Sequence, residues 1–342
     1  MAQLGVGIVG SGWVSGEYVR AFTANPHTEV RALCSRTKEG ARRKAAECGV
    51  TCEIFSDYDK MLGHAGIDIV CIATPPHLHK EQAVAAASAG KHMIIEKAMA
   101  TTLEDARAVR DAVSKTRVKT VVSFVLRWNP LFEIIKVQLA DNAIGDVFFG
   151  EVDYFHGIGP WYKQYAWNVK KHIGVSSLLS AGCHAVDALR WFMGGRIREV
   201  MAYSTYGKGP YFAEYEYDPT SCMICRFEDG RIGKVASCIE CIQPYTFHIN
   251  LVGTHGAIRN NLLYSKTKFP GQSTWVTIPT ILPDSGDVSH HPFLLEVNHL
   301  MDCILNNRES HASAADAYLT HEACFAADLS AKERRPVQLP LP

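Results

Sequence analysis

Gly7-Ile8-Val9-Gly10-Ser11-Gly12-Trp13-Val14-Ser15-Gly16 is the stretch that decides how the N-terminal part of this chain folds. Residues 4–9 form a continuous apolar-and-glycine run, as a buried strand does, and from Gly12 onward Val14, Tyr18, Ala21 and Phe22 recur at helical spacing. A glycine-rich turn between strand and helix has a specific use. Gly10 permits the tight turn, and Gly12 lets the backbone approach a pyrophosphate held at the helix N-terminus. Ser15 occupies the third small position, which serves helix–strand packing. With Ser11, Trp13 and Val14, these residues make the expected phosphate-binding set. The glycine pattern alone is weak; strand, turn and helix in order make it specific.

Outward from this turn, short apolar runs alternate with helical patterns up to about residue 125. Strands are expected at 30–34, 67–73, 92–95 and 120–125, with helices at 38–47, 80–89 and 103–114. Such alternation predicts βαβ units, so residues 1–125 are expected to form a doubly wound, parallel Rossmann domain. The grammar then changes. One helix at 130–140 leads into strands at 147–156, 199–206, 221–227, 234–239 and 245–252, followed by helices at 293–305 and 314–331. Residues 126–342 are therefore expected to be an α/β domain with a mainly antiparallel, open sheet and helices on one face.

Composition narrows the function. Among 342 residues, 35 basic side chains meet 35 acidic ones without long runs of either sign, which argues against nucleic acid and for a small-molecule partner. No stretch reaches the roughly 18 to 20 apolar residues that cross a bilayer, and no export signal is visible, so a cytoplasmic protein is expected. The eleven cysteines are accordingly read as reduced thiols. Cys222-Met223-Ile224-Cys225 and Cys238-Ile239-Glu240-Cys241 mimic zinc-ribbon spacing, but both fall on expected strands, where positions three apart point to opposite faces. His77, His79, His290 and His291 have no supporting acid or cysteine cluster. No metal is predicted.

Three further segments, together with the turn, carry a resemblance: residues 67–79, ending Thr74-Pro75-Pro76-His77-Leu78-His79; residues 90–100, containing Glu96-Lys97-Ala98; and Ser180-Ala181-Gly182-Cys183-His184-Ala185-Val186-Asp187. With Arg127-Trp128-Asn129-Pro130, they make the whole chain resemble the glucose–fructose oxidoreductase / inositol dehydrogenase (Gfo/Idh/MocA) family. The resemblance implies a nicotinamide cofactor, substrates among sugars, cyclitols and their derivatives, and a homodimer or homotetramer built through the open sheet. It implies Lys97 and His184 as the catalytic pair. Thr74, Pro75, His79, Glu96, Lys97, Arg127 and Trp167 join the expected cofactor contacts, and Lys97, Tyr154, Trp161, Ser180 and His184 the substrate contacts. Two departures stand out. Ala98 replaces the proline usual after Glu-Lys, and Ser180 replaces the aspartate usual four positions before the histidine. On an α-helix 180, 184 and 187 share a face, so Asp187 is expected to orient His184 in its stead.

The residue types suit alcohol oxidation. Loss of a hydride from carbon leaves a proton to be taken from oxygen, a task for histidine near neutrality, while a lysine polarises the same oxygen. At the end of the second strand Cys34-Ser35-Arg36-Thr37 offers a hydroxyl and a guanidinium where NAD-specific sites carry an acid, so NADP(H) is expected over NAD(H). The alternative is a glycosidase of the same family, which oxidises, eliminates and reduces without net redox change.

Overall fold

Buried apolar runs pair wholly in parallel in the N-terminal part of the chain. The computed structural model describes residues 3–283 and 291–342. It divides into two units, Met1–Phe124 with Pro292–Tyr318, and Val125–His291 with Leu319–Pro342. The first unit holds β1 (Leu4–Val9), β2 (Thr28–Cys34), β3 (Glu53–Phe55), β4 (Ile69–Ile72), β5 (His92–Ile95) and β6 (Thr120–Val122), in the order β3-β2-β1-β4-β5-β6. Every residue of β4 is buried, as helices on both faces of a parallel sheet require. Strand order reverses between β1 and β4, and ligands of such sheets bind beyond the carboxyl ends of the strands at that reversal.

The helix Trp13–Ala24 buries Tyr18, Val19 and Phe22. The Tyr18 ring meets Phe293 edge to face, 5.0 Å between centroids. Phe293 opens the helix Phe293–Leu305, which the sequence assigned to the second domain and the fold gives to the first. The reason is apolar demand: Tyr18 and Phe22 are fully buried, and each such side chain contributes roughly 1.5–3 kcal/mol once covered.

The second unit is a nine-stranded sheet in the order β14-β13-β12-β11-β7-β10-β9-β8-β15. Its main strands are β7 (Val147–Phe155), β8 (Ile197–Thr205), β9 (Thr220–Phe227), β10 (Ile232–Cys238) and β11 (Thr246–Gly253). Three short strands, β12 (Gly256–Arg259), β13 (Leu262–Ser265) and β14 (Val276–Thr277), extend one edge, and β15 (Val337–Gln338) the other. All pairs are antiparallel except β7 with β10. Along β9 burial alternates strictly, with Cys225 and Phe227 inward and Cys222 and Ile224 outward. The inner face packs on the helix Cys183–Met193, whose Leu189 and Met193 lie so close to Gly150 that a Cβ there would come 2.7 Å from the Met193 sulfur. The outer face leaves Tyr203, Ile224 and Ile232 exposed.

The two Cys-x-x-Cys stretches part company here. Cys222 and Cys225 point to opposite faces of β9, as expected. The second pair departs from expectation because β10 ends at Cys238 and the chain bends through Ile239 and Glu240. Cys241 is thereby returned to Cys238. Among the described residues no group of three or more His, Cys, Asp or Glu side chains could hold a metal ion, and no helix is long and apolar enough to cross a membrane. His290 lies outside the described residues.

Candidate active site

The first unit gathers its chemistry at the carboxyl edge of the parallel sheet. Gly10 has φ +119° and sits so near β4 that a Cβ would come 2.3 Å from the Ala73 carbonyl oxygen, a position only glycine fills. A Cβ on Gly12, by contrast, would meet nothing within 4 Å. Gly12 caps the helix Trp13–Ala24 without any side-chain bond, whereas Thr37, Asp57 and Thr102 cap the helices Lys38–Cys48, Tyr58–Leu62 and Leu103–Ser114 through theirs. The cap itself offers that first turn no side-chain acceptor, and the space above Gly12 lets an anionic group approach the helix N-terminus. A dinucleotide pyrophosphate fits this cradle. Ser15 is fully buried and turns its hydroxyl back to the Gly12 carbonyl at 2.7 Å, a packing role as expected.

Ser11 and Ser35 both reach over Gly40, where an added Cβ would come 3.3 and 2.9 Å from their hydroxyl oxygens. Ser35 donates to the Thr37 carbonyl at 2.7 Å, and Arg36 beside it is exposed. His79 requires a correction. It is fully buried, with Nδ1 2.8 Å from the Ala98 carbonyl and Nε2 2.7 Å from that of Thr74. A ring with no exposed surface cannot touch a cofactor; it braces the strand ends that carry Thr74 and Lys97. Burial lowers its pKa to about 4 against the pull of the two carbonyls.

Glu96 and Lys97 follow β5 on the same edge, and the Lys97–Ala98 peptide is cis. Glu96 accepts from the Lys97 amide at 3.2 Å and from the Tyr18 hydroxyl at 2.8 Å. The Tyr18 oxygen also lies 2.7 Å from Ser123 and 3.3 Å from Glu296, and Ser123 is 3.2 Å from Glu296. Two carboxyl groups thus meet through two hydroxyls. Glu296 is fully buried, and its Oε1 has no hydrogen-bond partner among the described residues. Burial and the charge of Glu96 push the Glu296 carboxyl well above the ordinary carboxylate range. Burial raises Glu96 as well, while Lys97 and the hydroxyl donors pull it down. Sequence reading missed Glu296, although a single acid within Phe293-Leu294-Leu295-Glu296-Val297 was a visible signal.

The second unit presents His184 in the first turn of the helix Cys183–Met193, buried at 9% exposure. Its ring stacks on Tyr154 with centroids 6.3 Å apart and planes 21° apart. Tyr154 begins a polar chain: its hydroxyl lies 3.1 Å from His156 Nδ1, and His156 Nε2 lies 2.6 Å from the Tyr162 hydroxyl. Ser180 sits one step earlier, in a π-helical turn, Leu178–Gly182. The shared α-helical face expected for 180, 184 and 187 is therefore broken at its first member. Ser180 instead donates to Asn168 Oδ1 at 2.7 Å.

Asp187 is also corrected. Its carboxylate takes a bidentate bond from Arg127, 2.7 Å at Nε and 2.6 Å at Nη2, and another from Thr320 at 3.0 Å. Arg127 is only 2% exposed. The pair is an internal brace of the second unit. Trp161 is 58% exposed and rests edgewise on Tyr211 and Phe212. Trp167, half-buried, lies in the short helix Tyr165–Asn168.

Known proteins resemble the chain throughout. The family model described as oxidoreductase family, NAD-binding Rossmann fold, matches residues 4–124, and that of the GFO/IDH/MocA C-terminal domain matches 132–259. A levoglucosan dehydrogenase of Pseudarthrobacter phenanthrenivorans is 31% identical over 297 residues, 75% of this chain and 73% of that protein. The scyllo-inositol 2-dehydrogenase (NAD(+)) of Bacillus subtilis strain 168 is 25% identical over 324 residues, 93% of this chain and 90% of its own length. In fold the chain matches a levoglucosan dehydrogenase solved with NADH and L-sorbose, TM-score 0.90 at 24% identity, over 100% of both chains.

Proposed function

The chain belongs to the Gfo/Idh/MocA oxidoreductase family, and from that premise we propose that it interconverts a secondary alcohol and a ketone on a sugar, cyclitol or sugar derivative, using NADP(H) in preference to NAD(H). One observation carries the reading: the open, uncapped glycine turn at Gly12 and the Glu96-Lys97 pair stand on the same carboxyl edge of one parallel sheet.

When bound, the nicotinamide supplies the acceptor or donor of the hydride. The turn Gly10–Ser11–Gly12 and the amides of Trp13 and Val14 hold the pyrophosphate, and Thr74 and Pro75 border it. Ser35 and the exposed Arg36, with no carboxylate at the end of β2, suit a 2′-phosphate. Lys97 polarises the substrate oxygen, and His184 takes or returns its proton, with Tyr154 stacked on the ring to fix its plane. Trp161 offers an exposed aromatic face to a sugar ring, and Ser180 and Trp167 complete the substrate wall. We further assign the protein to the cytoplasm as a homodimer or homotetramer associated through the outer sheet face, where the exposed Tyr203, Ile224 and Ile232 support the reading. The glycosidase alternative has no support among the named relatives.

The test is a panel of cyclitols and sugars with NAD+ or NADP+, followed by the absorbance of the reduced nicotinamide. Accumulation with at least one polyol, faster with NADP+, is expected. Glycoside cleavage without accumulation would overturn the dehydrogenase reading, and faster turnover with NAD+ would overturn the cofactor preference.

A further inference from the structure

The bend after β10 brings together two thiols that the dehydrogenase chemistry does not use. The Cys241 thiol donates to the Cys238 carbonyl oxygen at 3.6 Å, which sets its sulfur beside the Cys238 side chain. The Thr220 hydroxyl stands 3.2 Å from the Cys238 sulfur and 2.9 Å from Glu240 Oε1, so its one proton serves either. Both sulfurs belong to half-buried residues. The same bend is tied to the aromatic wall: the Cys238 carbonyl accepts the His156 amide and the Ile239 carbonyl the Ile158 amide, each at 2.9 Å. Gly157 packs so closely there that a Cβ would come 2.2 Å from the Cys241 carbonyl oxygen.

We propose that Cys238 and Cys241 form a thiol–disulfide exchange site, with Cys238 as the attacking sulfur and Cys241 as the resolving one, reacting with low-molecular-weight disulfides such as oxidised glutathione. The proposal stands apart from the assigned dehydrogenase activity. Cys238 thiolate attacks one sulfur of the small disulfide, forming a mixed disulfide and expelling one small thiolate, which takes up a proton. Cys241 then loses its proton and attacks the Cys238 sulfur, closing the protein disulfide and releasing the second small thiol. Two protein thiols are oxidised and one external disulfide is reduced; atoms and electrons balance.

The polarity of the pair follows from its donors. The neighbouring Cys241 thiol and the Thr220 hydroxyl stabilise a negative Cys238 sulfur and, against burial and the charge of Glu240, bring its pKa down to about 6. Cys241 is pushed up, because its proton is the one shared. Burial raises Cys34, Cys52, Cys71, Cys222, Cys225, Cys303 and Cys324. Low pKa also reduces intrinsic nucleophilicity, so the advantage of Cys238 is small at pH 7 and grows as the pH falls to 6. There about half of Cys238 is thiolate, against well under one per cent of an ordinary thiol, and the net gain in rate is roughly tenfold.

The experiment treats the full chain with oxidised glutathione at pH 6, alkylates the remaining thiols, and maps them by peptide mass spectrometry. The expected product is a Cys238–Cys241 disulfide reversed by dithiothreitol, with the exposed Cys222 still alkylated. In Cys241→Ser the reaction should stop at glutathione on Cys238, and in Cys238→Ser it should leave Cys241 unmodified. Iodoacetamide at pH 6 should label Cys238 about tenfold faster than Cys222. Modification of Cys222 first, a freely alkylated Cys238 after oxidation, or no trapped adduct in Cys241→Ser would each overturn the proposal.

Discussion

Arg127 and Asp187 lie buried in the second unit with their charges cancelled through a bidentate bond, whereas Glu96 and Glu296 meet in the first unit through the hydroxyls of Tyr18 and Ser123. The first arrangement braces the helix that carries His184. In the second, burial raises both carboxyls and the charge of Glu96 raises Glu296 further, directly behind Lys97. The difference teaches that the two sides of the assigned catalytic pair are supported in different ways. His184 is backed by rigidity, and Lys97 by a group whose charge depends on pH.

Removing one half of the neutral pair should cost most. Arg127→Ala leaves a buried carboxylate unopposed, and a loss of about 3–5 kcal/mol is expected in denaturant unfolding. Arg127→Met combined with Asp187→Leu should recover most of it; a double variant as unstable as the single would break this side of the comparison. Glu296→Gln comes next, and its effect has a sign. A carboxyl raised in the folded state holds its proton where the unfolded chain has lost it. Its contribution to stability therefore falls as pH rises above the ordinary glutamate value, by up to about 1.4 kcal/mol per pH unit until the folded pKa is reached. The Gln variant lacks that slope, so its Tm should gain on the wild type between pH 5 and pH 8. A gap that stays flat would show that Glu296 ionises normally. The smallest change is Thr320→Val, which removes one hydrogen bond to Asp187 but leaves Arg127 in place. It should cost about 1 kcal/mol, equally at pH 5 and pH 8.

Much of the first unit was legible in the sequence, because its signals are local. The helix Leu103–Ser114 and the strand His92–Ile95 coincide with expectation, since Thr102 caps the one and apolar residues fill the other. The glycine turn was legible for the same reason. What escaped depends on distant partners. Nothing near Phe293 reveals that its ring will cover Tyr18, so the helix Phe293–Leu305 was assigned to the wrong domain. The role of His79 was misread because a motif shows that a residue is needed without showing that it faces inward. The π-turn at Leu178–Gly182 has no compositional mark, and it displaced Ser180 from the expected face. The β12–β13 hairpin did carry a sign, Asn260-Asn261, with Asn260 at φ +50°, but its strands are too short for periodicity to register.

The central claim is that Lys97 acts on the substrate while the cofactor is held elsewhere, by the turn at Gly10 and Gly12. Lys97→Met tests it when turnover and nicotinamide affinity are measured on the same sample, by absorbance and by quenching of tryptophan fluorescence. Turnover reduced by roughly 10²–10⁴-fold with cofactor affinity within a few-fold of wild type is the predicted result. Undiminished turnover, or loss of cofactor binding together with turnover in a folded protein, would contradict it.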